Sequence, residues 1–114
     1  ASIEGQSKVT AKWDESLSNE EKFAKIATQR WIAIYPEGMN GWAEIRRTGY
    51  PKLFPVMVNY SQGEIDTDLG PRRLPFTINE KGNNPTGYAK AVEMLGGPDN
   101  AATRVFWDVN KSNF

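Results

Sequence analysis

The chain has 114 residues, with 14 Lys plus Arg balanced by 14 Asp plus Glu, and it has neither histidine nor cysteine. That length holds one domain, and zero net charge offers no global field to attract nucleic acid or an anionic membrane. The missing histidine and cysteine exclude Ser-His-Asp catalysis, thiolate chemistry and most zinc sites.

Hydrophobic residues at 39% and charged residues at 25% place the chain among globular rather than disordered sequences. No apolar run approaches the roughly 20 residues a membrane-spanning helix needs. The first ten residues are polar and do not read as a signal peptide. Ala1-Ser2-Ile3 opens without an initiator methionine, as a processed protein or an excised fragment would.

In chain order, residues 1–17 read as a short helix or an extended lead-in. Ser18-Asn19-Glu20-Glu21 forms a capping box. It opens a helix expected over residues 19–35, with Phe23, Ile26, Ala27, Trp31, Ile34 and Tyr35 on one apolar face. Pro36 stops it. Asn40 is placed to cap a second helix over residues 41–48, closed by Gly49 and blocked by Pro51. Residues 51–76 carry Pro51, Pro55, Pro71 and Pro75 with Gly63 and Gly70, a pattern too broken for a helix. Alternation at Val56, Val58 and Tyr60 suggests a short strand, and a hairpin with residues 64–68 is open. Asn84-Pro85 starts a third helix, on which Tyr88, Ala91, Val92 and Leu95 form a stripe that ends at Gly96-Gly97-Pro98. Val105, Phe106 and Trp107 then read as an extended apolar anchor. The expected fold class is mainly α: three helices plus a long irregular segment that admits a short β-hairpin.

Few residues carry the chemistry of a site. Asp66-Thr67-Asp68-Leu69-Gly70 resembles the opening of a calcium loop but lacks the third acid and closing glutamate, so a solvated loop is the better reading for Asp66 and Asp68. Asn59-Tyr60-Ser61 fits a glycosylation sequon. The pairs Arg46-Arg47 and Arg72-Arg73 could hold an anionic ligand, but one arginine of each pair bridging loop carbonyls and carboxylates is the better reading. Of the four tryptophans, Trp31 and Trp107 read as core and Trp42 as packed on the arginines. Trp13, in the polar lead-in, is the candidate ligand-binding residue, since an exposed indole face can stack on a sugar ring. No catalytic, metal or cofactor residue is assigned.

Several stretches together resemble the C-terminal part of the SusD/RagB family of outer-membrane nutrient-binding lipoproteins. They are Gln29-Arg30-Trp31-Ile32-Ala33, then Trp42-Ala43-Glu44-Ile45-Arg46-Arg47-Thr48-Gly49-Tyr50-Pro51, then Arg72-Arg73-Leu74-Pro75-Phe76, Glu80 with Asn83-Asn84, and Arg104-Val105-Phe106-Trp107-Asp108. The resemblance implies that residues 1–114 are a single segment completing a SusD-like, tetratricopeptide-containing α-helical fold. The lipid-bearing N-terminal cysteine and the helical-repeat portion are expected outside it. It further implies a surface-exposed lipoprotein of the cell outer membrane, with no enzyme activity and no cofactor. Such a protein binds glycan or another nutrient for delivery to a TonB-dependent transporter. Its expected partners are that transporter, an oligosaccharide or other nutrient, and the remaining N-terminal part of the same protein, with no nucleic acid. The alternative is a structural or interaction segment that touches the transporter and makes no ligand contacts of its own.

Overall fold

A computed structural model describes residues 10–112. The beginning of the expected lead-in, residues 1–9, lies outside the described residues. The chain forms two compact units: one runs up to Pro55 and resumes at Val109, and the other is Val56–Asp108.

The first unit holds helices α1 (Asn19–Ala33) and α2 (Gly38–Thr48). The capping box forms as expected. The Glu21 amide donates to Ser18 Oγ at 3.3 Å and the Ser18 amide to the Glu21 carboxylate at 2.9 Å. α1 ends two residues before the expected Tyr35, because Tyr35 N–H turns back to Ile32 O at 3.2 Å and tightens the exit. The Tyr35–Pro36 and Tyr50–Pro51 peptide bonds are cis. α2 starts three residues earlier than expected. Glu37 is its N-cap without a side-chain bond, and Asn40, expected as the cap, instead donates to the Glu37 carboxylate inside the first turn. Gly49, at φ +76°, closes α2 with its amide on Ile45 O at 2.8 Å, a left-handed exit that glycine adopts without a Cβ clash.

On α1 the buried side chains are small. Ala24, Ala27 and Thr28 are the buried residues of α1. Of the expected stripe, Ala27 is buried, but Phe23, Ile26 and Tyr35 are 39%, 56% and 87% exposed. Trp31, expected in the core, is half-buried. It faces Gly41, where a Cβ would stand 3.3 Å from the indole Nε1.

The second unit holds α3 (Ile78–Asn83) and α4 (Pro85–Leu95), which pack on each other. The fold is mainly α, as expected, but with four helices rather than three among the described residues. α3 was not expected: its six residues bury nothing, so no apolar stripe announces it. Thr77 accepts from the Glu80 amide and starts it. α4 is started by Asn84, whose Oδ1 accepts from the Gly87 amide at 3.1 Å. Tyr88, Ala91, Val92 and Leu95 are its half-buried side, as the stripe predicts.

The hairpin does not form. The described residues contain no strand, only an isolated bridge between Asp66 and Gly70. Side chains replace the ladder. Asn59 Nδ2 donates to Ile65 O at 2.8 Å and to Thr67 Oγ1 at 2.9 Å, and the Ile65 amide donates to Ser61 Oγ at 3.0 Å. Among the described residues the buried apolar side chains are Ala24, Ala27 and Ala101, while Trp107, expected in the core, is 38% exposed and Phe106 99%.

Candidate functional site

Trp13 stands on the lead-in to α1, 46% exposed, and is held at its indole nitrogen and over its ring. The indole N–H donates to Glu15 Oε1 at 2.7 Å, and Lys22 Nζ lies 5.8 Å from the ring centroid. Lys22 also binds the Glu15 carboxylate at 3.0 Å, so the three side chains hold one another. The Trp13 hydrogen bond, followed by that of Lys22, keeps the Glu15 carboxyl below the ordinary carboxylate range. Between the same lead-in and α1 a cleft of mixed character is lined by Thr10, Lys12, Asp14, Leu17, Glu21 and Lys25. Asp14 is held low by the Ser16 hydroxyl and amide, and Glu21 by the Ser18 hydroxyl and amide. A fixed aromatic face with charged neighbours can present stacking area together with hydrogen-bond partners, which a saccharide ring requires.

The first unit also carries a site that the residue pattern did not reveal. Trp31, Ile34, Tyr35, Pro36, Trp42 and Ile45 line an open apolar groove of about 440 Å³. Trp31 ends α1 and Trp42 begins the body of α2, so the Tyr35-Pro36-Glu37 turn alone brings them to one groove. The spacing of the two tryptophans was the available signal, but only the turn geometry makes it readable.

The remaining candidates are occupied by their own chain. Asp66 Oδ1 accepts from the amides of Asp68 and Leu69, each at 2.8 Å, which makes it a turn-forming side chain. No group of three or more acidic, histidine or cysteine side chains is placed to hold a metal among the described residues. In the sequon, the Asn59 amide nitrogen that a glycan would use is spanning the loop to Ile65 and Thr67.

Both arginine pairs serve the scaffold, and more fully than expected, since both members of the second pair are buried. Arg72 is 1% exposed and Asp108 5%. Arg72 Nε donates to Asp108 Oδ2 at 2.6 Å, its Nη2 to Asp108 Oδ1, and its Nη1 to Leu69 O at 2.9 Å. Arg73 Nη1 donates to Asp99 at 2.6 Å and to Asn100 O at 3.2 Å. Burial would raise the Asp99 carboxyl, but Arg73, the Phe76 amide and the Tyr88 hydroxyl outweigh it and hold it below the ordinary carboxylate range. Tyr88 is raised in turn, by burial and by its bond to Asp99. In the first pair, Arg46 stacks 3.6 Å from the Trp42 ring centroid, as expected for that tryptophan. Arg47 joins Arg30 on the buried Glu44, at 2.7 and 2.6 Å. Burial pushes Glu44 up, and the two guanidinium groups more than reverse this, leaving it below the ordinary carboxylate range.

Comparison with known proteins is consistent with this scaffold. A family model described as "Susd and RagB outer membrane lipoprotein" matches residues 1–108. No curated protein matches. Among solved structures, the chain is similar to a chitin-binding SusD homolog from Flavobacterium johnsoniae, at 56% identity and a TM-score of 0.83, covering 92% of this chain and 22% of that one. A SusD homolog from Bacteroides uniformis is 47% identical with a TM-score of 0.85, over 90% of this chain and 22% of that one. A third, from Bacteroides vulgatus, is 52% identical with a TM-score of 0.79, over 89% and 20%. The chain therefore spans about a fifth of the length of these relatives. The family match and the structural likeness agree, and the chain belongs to the SusD-like family of outer-membrane lipoproteins.

Proposed function

We propose that this chain is part of a surface protein of the bacterial outer membrane. That protein binds glycan or another nutrient without catalysis and delivers it to a TonB-dependent transporter. The observation that carries the reading is the 56% identity, across 92% of the chain, to a homolog described as chitin-binding. Chitin-type oligosaccharides are therefore the first ligand to test, and Trp13 is the candidate contact.

The electrostatics favour binding over chemistry. A glycosidase needs a carboxyl group whose proton affinity is raised, so that it can donate near neutral pH. Asp14, Glu15, Glu20, Glu21, Glu44 and Asp99 each depart from ordinary behaviour in the opposite, downward direction.

A second reading rests on the apolar surface. Tyr35, Met57, Tyr60, Ile78 and Phe106 are each more than four-fifths exposed. In that reading the segment contacts the rest of its own protein or the transporter and leaves ligand contact to other residues. Calorimetry of the intact protein against chitin oligosaccharides and a wider polysaccharide panel tests the first reading, with Trp13→Ala alongside. Binding that weakens in the variant supports both the function and the residue. Unchanged affinity with weaker transporter capture supports the second reading, and no binding to any glycan, peptide or other nutrient removes the first.

A further inference from the structure

Residues 109–112 cross the first unit at a place where four separate contacts converge. The Val109 amide donates to Arg46 O at 3.0 Å, in the last turn of α2. Lys111 Nζ donates to Glu20 Oε1 at 2.8 Å, in the first turn of α1. Lys52 Nζ donates to the Ser112 carbonyl. The stem of Lys111 runs over Gly49 so closely that a Cβ there would stand 2.8 Å from both Cβ and Cδ of Lys111. Tyr50 completes the seat: its hydroxyl donates to the same Glu20 oxygen at 2.8 Å, its ring meets Phe23 edge-on at 6.2 Å, and the ammonium groups of Lys52 and Lys111 lie 5.7 and 5.6 Å from the ring centroid. The shared proton chemistry agrees with this geometry. The bonds from Lys111 and Tyr50 hold the Glu20 carboxyl low, and Glu20 raises Lys111.

We propose that residues 109–112 are a strap that fastens the start of α1 to the exit of α2, with Gly49 as its seat and Glu20 as its catch. Gly49 then does two things. It supplies the left-handed helix exit, and it leaves the space that the Lys111 stem fills. A helix cap needs only the first. The pairing is exposed, at 47% for Lys111 and 58% for Glu20, so an isolated ion pair would contribute little. The strap rests on the convergence of backbone bond, stem packing and charge at one place.

Amide exchange in the intact protein tests this with reporters already in the fold. The Val109 amide reports the strap backbone, and the Lys22 amide, bonded to Ser18 O at 3.0 Å, reports the first turn of α1. The Tyr88 amide, bonded to Asn84 O at 2.9 Å, is the control in the other unit. Lys111→Met keeps much of the stem and removes the charge. It should speed exchange at Lys22 several-fold and leave Tyr88 unchanged. Gly49→Ala should speed exchange at Val109 about tenfold, and by much less in a Lys111→Gly background, because the clash partner is gone. Unchanged exchange at both reporters, acceleration spread equally to Tyr88, or the same Gly49→Ala effect in both backgrounds would overturn the strap and leave Gly49 as a helix cap alone.

Discussion

Arg72 carries a permanent charge into a space where only 1% of its surface meets solvent, and Asp108 follows it there at 5%. Two charges of opposite sign removed from water gain little net stability from their mutual attraction, because desolvation takes back most of it. Removing one partner has a far larger effect, since the other is left charged and unpaired. Here the guanidinium also satisfies Leu69 O, and its own amide donates to Ala101 O at 2.7 Å, so one residue ties three stretches of the second unit. Arg72→Ala should therefore destabilise the intact protein by about 3–5 kcal/mol, read from denaturant unfolding. The double replacement Arg72→Met with Asp108→Leu should lose much less than that single change. Equal losses would mean that the pair itself, rather than the orphaned charge, dominates. Lysine cannot substitute at Arg72, because it lacks the planar fork that reaches both carboxylate oxygens and the carbonyl.

At the scale of single elements, α4 shows how a cap can reverse an ordinary rule. Replacing a helical glycine with alanine commonly stabilises by up to about 1 kcal/mol. At Gly87 a new Cβ would stand 2.6 Å from Asn84 Oδ1, the oxygen that caps the helix. Gly87→Ala should thus bring no gain in the wild-type chain. In an Asn84→Ala background it should recover roughly 0.8–1 kcal/mol in thermal or denaturant unfolding. A gain in the wild-type chain equal to that in the Asn84→Ala background would show that the cap bends aside freely.

The sequence made α1, α2 and α4 legible, α2 by its stop at Gly49 and Pro51 and the other two by both a cap and a stripe. Ser18 with Glu21, and Asn84 with Tyr88, Ala91, Val92 and Leu95, pointed to α1 and α4. α3 had the threonine and glutamate of a cap at Thr77 and Glu80 but only Ile78 as an apolar residue, so periodicity said nothing. The strand pattern at Val56, Val58 and Tyr60 failed for another reason. Alternation shows which side chains could face a core, but the backbone of this loop is closed by Asn59 and Ser61 side chains instead. The scaffold role of the arginines was readable in kind, although burial of both Arg72 and Arg73 was not, because their acidic partners lie 36 and 26 residues away. Trp13 was legible as an exposed aromatic, while the groove at Trp31 and Trp42 depends on a turn that the sequence marks only by Pro36.

For the whole molecule, the decisive feature is where the apolar surface is. Three alanines make up the buried apolar side chains among the described residues, while Phe54, Met57, Tyr60, Ile78, Met94 and Phe106 are all more than three-fifths exposed. Soluble monomers rarely leave so much apolar area in contact with water, and so small a core falls short of offsetting chain entropy. We therefore propose that residues 1–114 are part of a larger helical domain. The isolated segment should show non-cooperative thermal unfolding and fast amide exchange throughout. Cooperative unfolding with slow exchange across both units would refute this.

The contact between Glu20 and Lys111 spans 91 positions of the chain. During synthesis at about 5–20 residues per second, the lysine leaves the ribosome roughly 5–20 s after the glutamate. Through that interval α1 and α2 can form their local bonds, yet the notch over Gly49 stays vacant and the Glu20 carboxylate is without its lysine. The intervening residues 56–108 have all emerged before the notch can be filled. The contact that fastens α1 to the exit of α2 is therefore made only after the whole of the second unit has been synthesised.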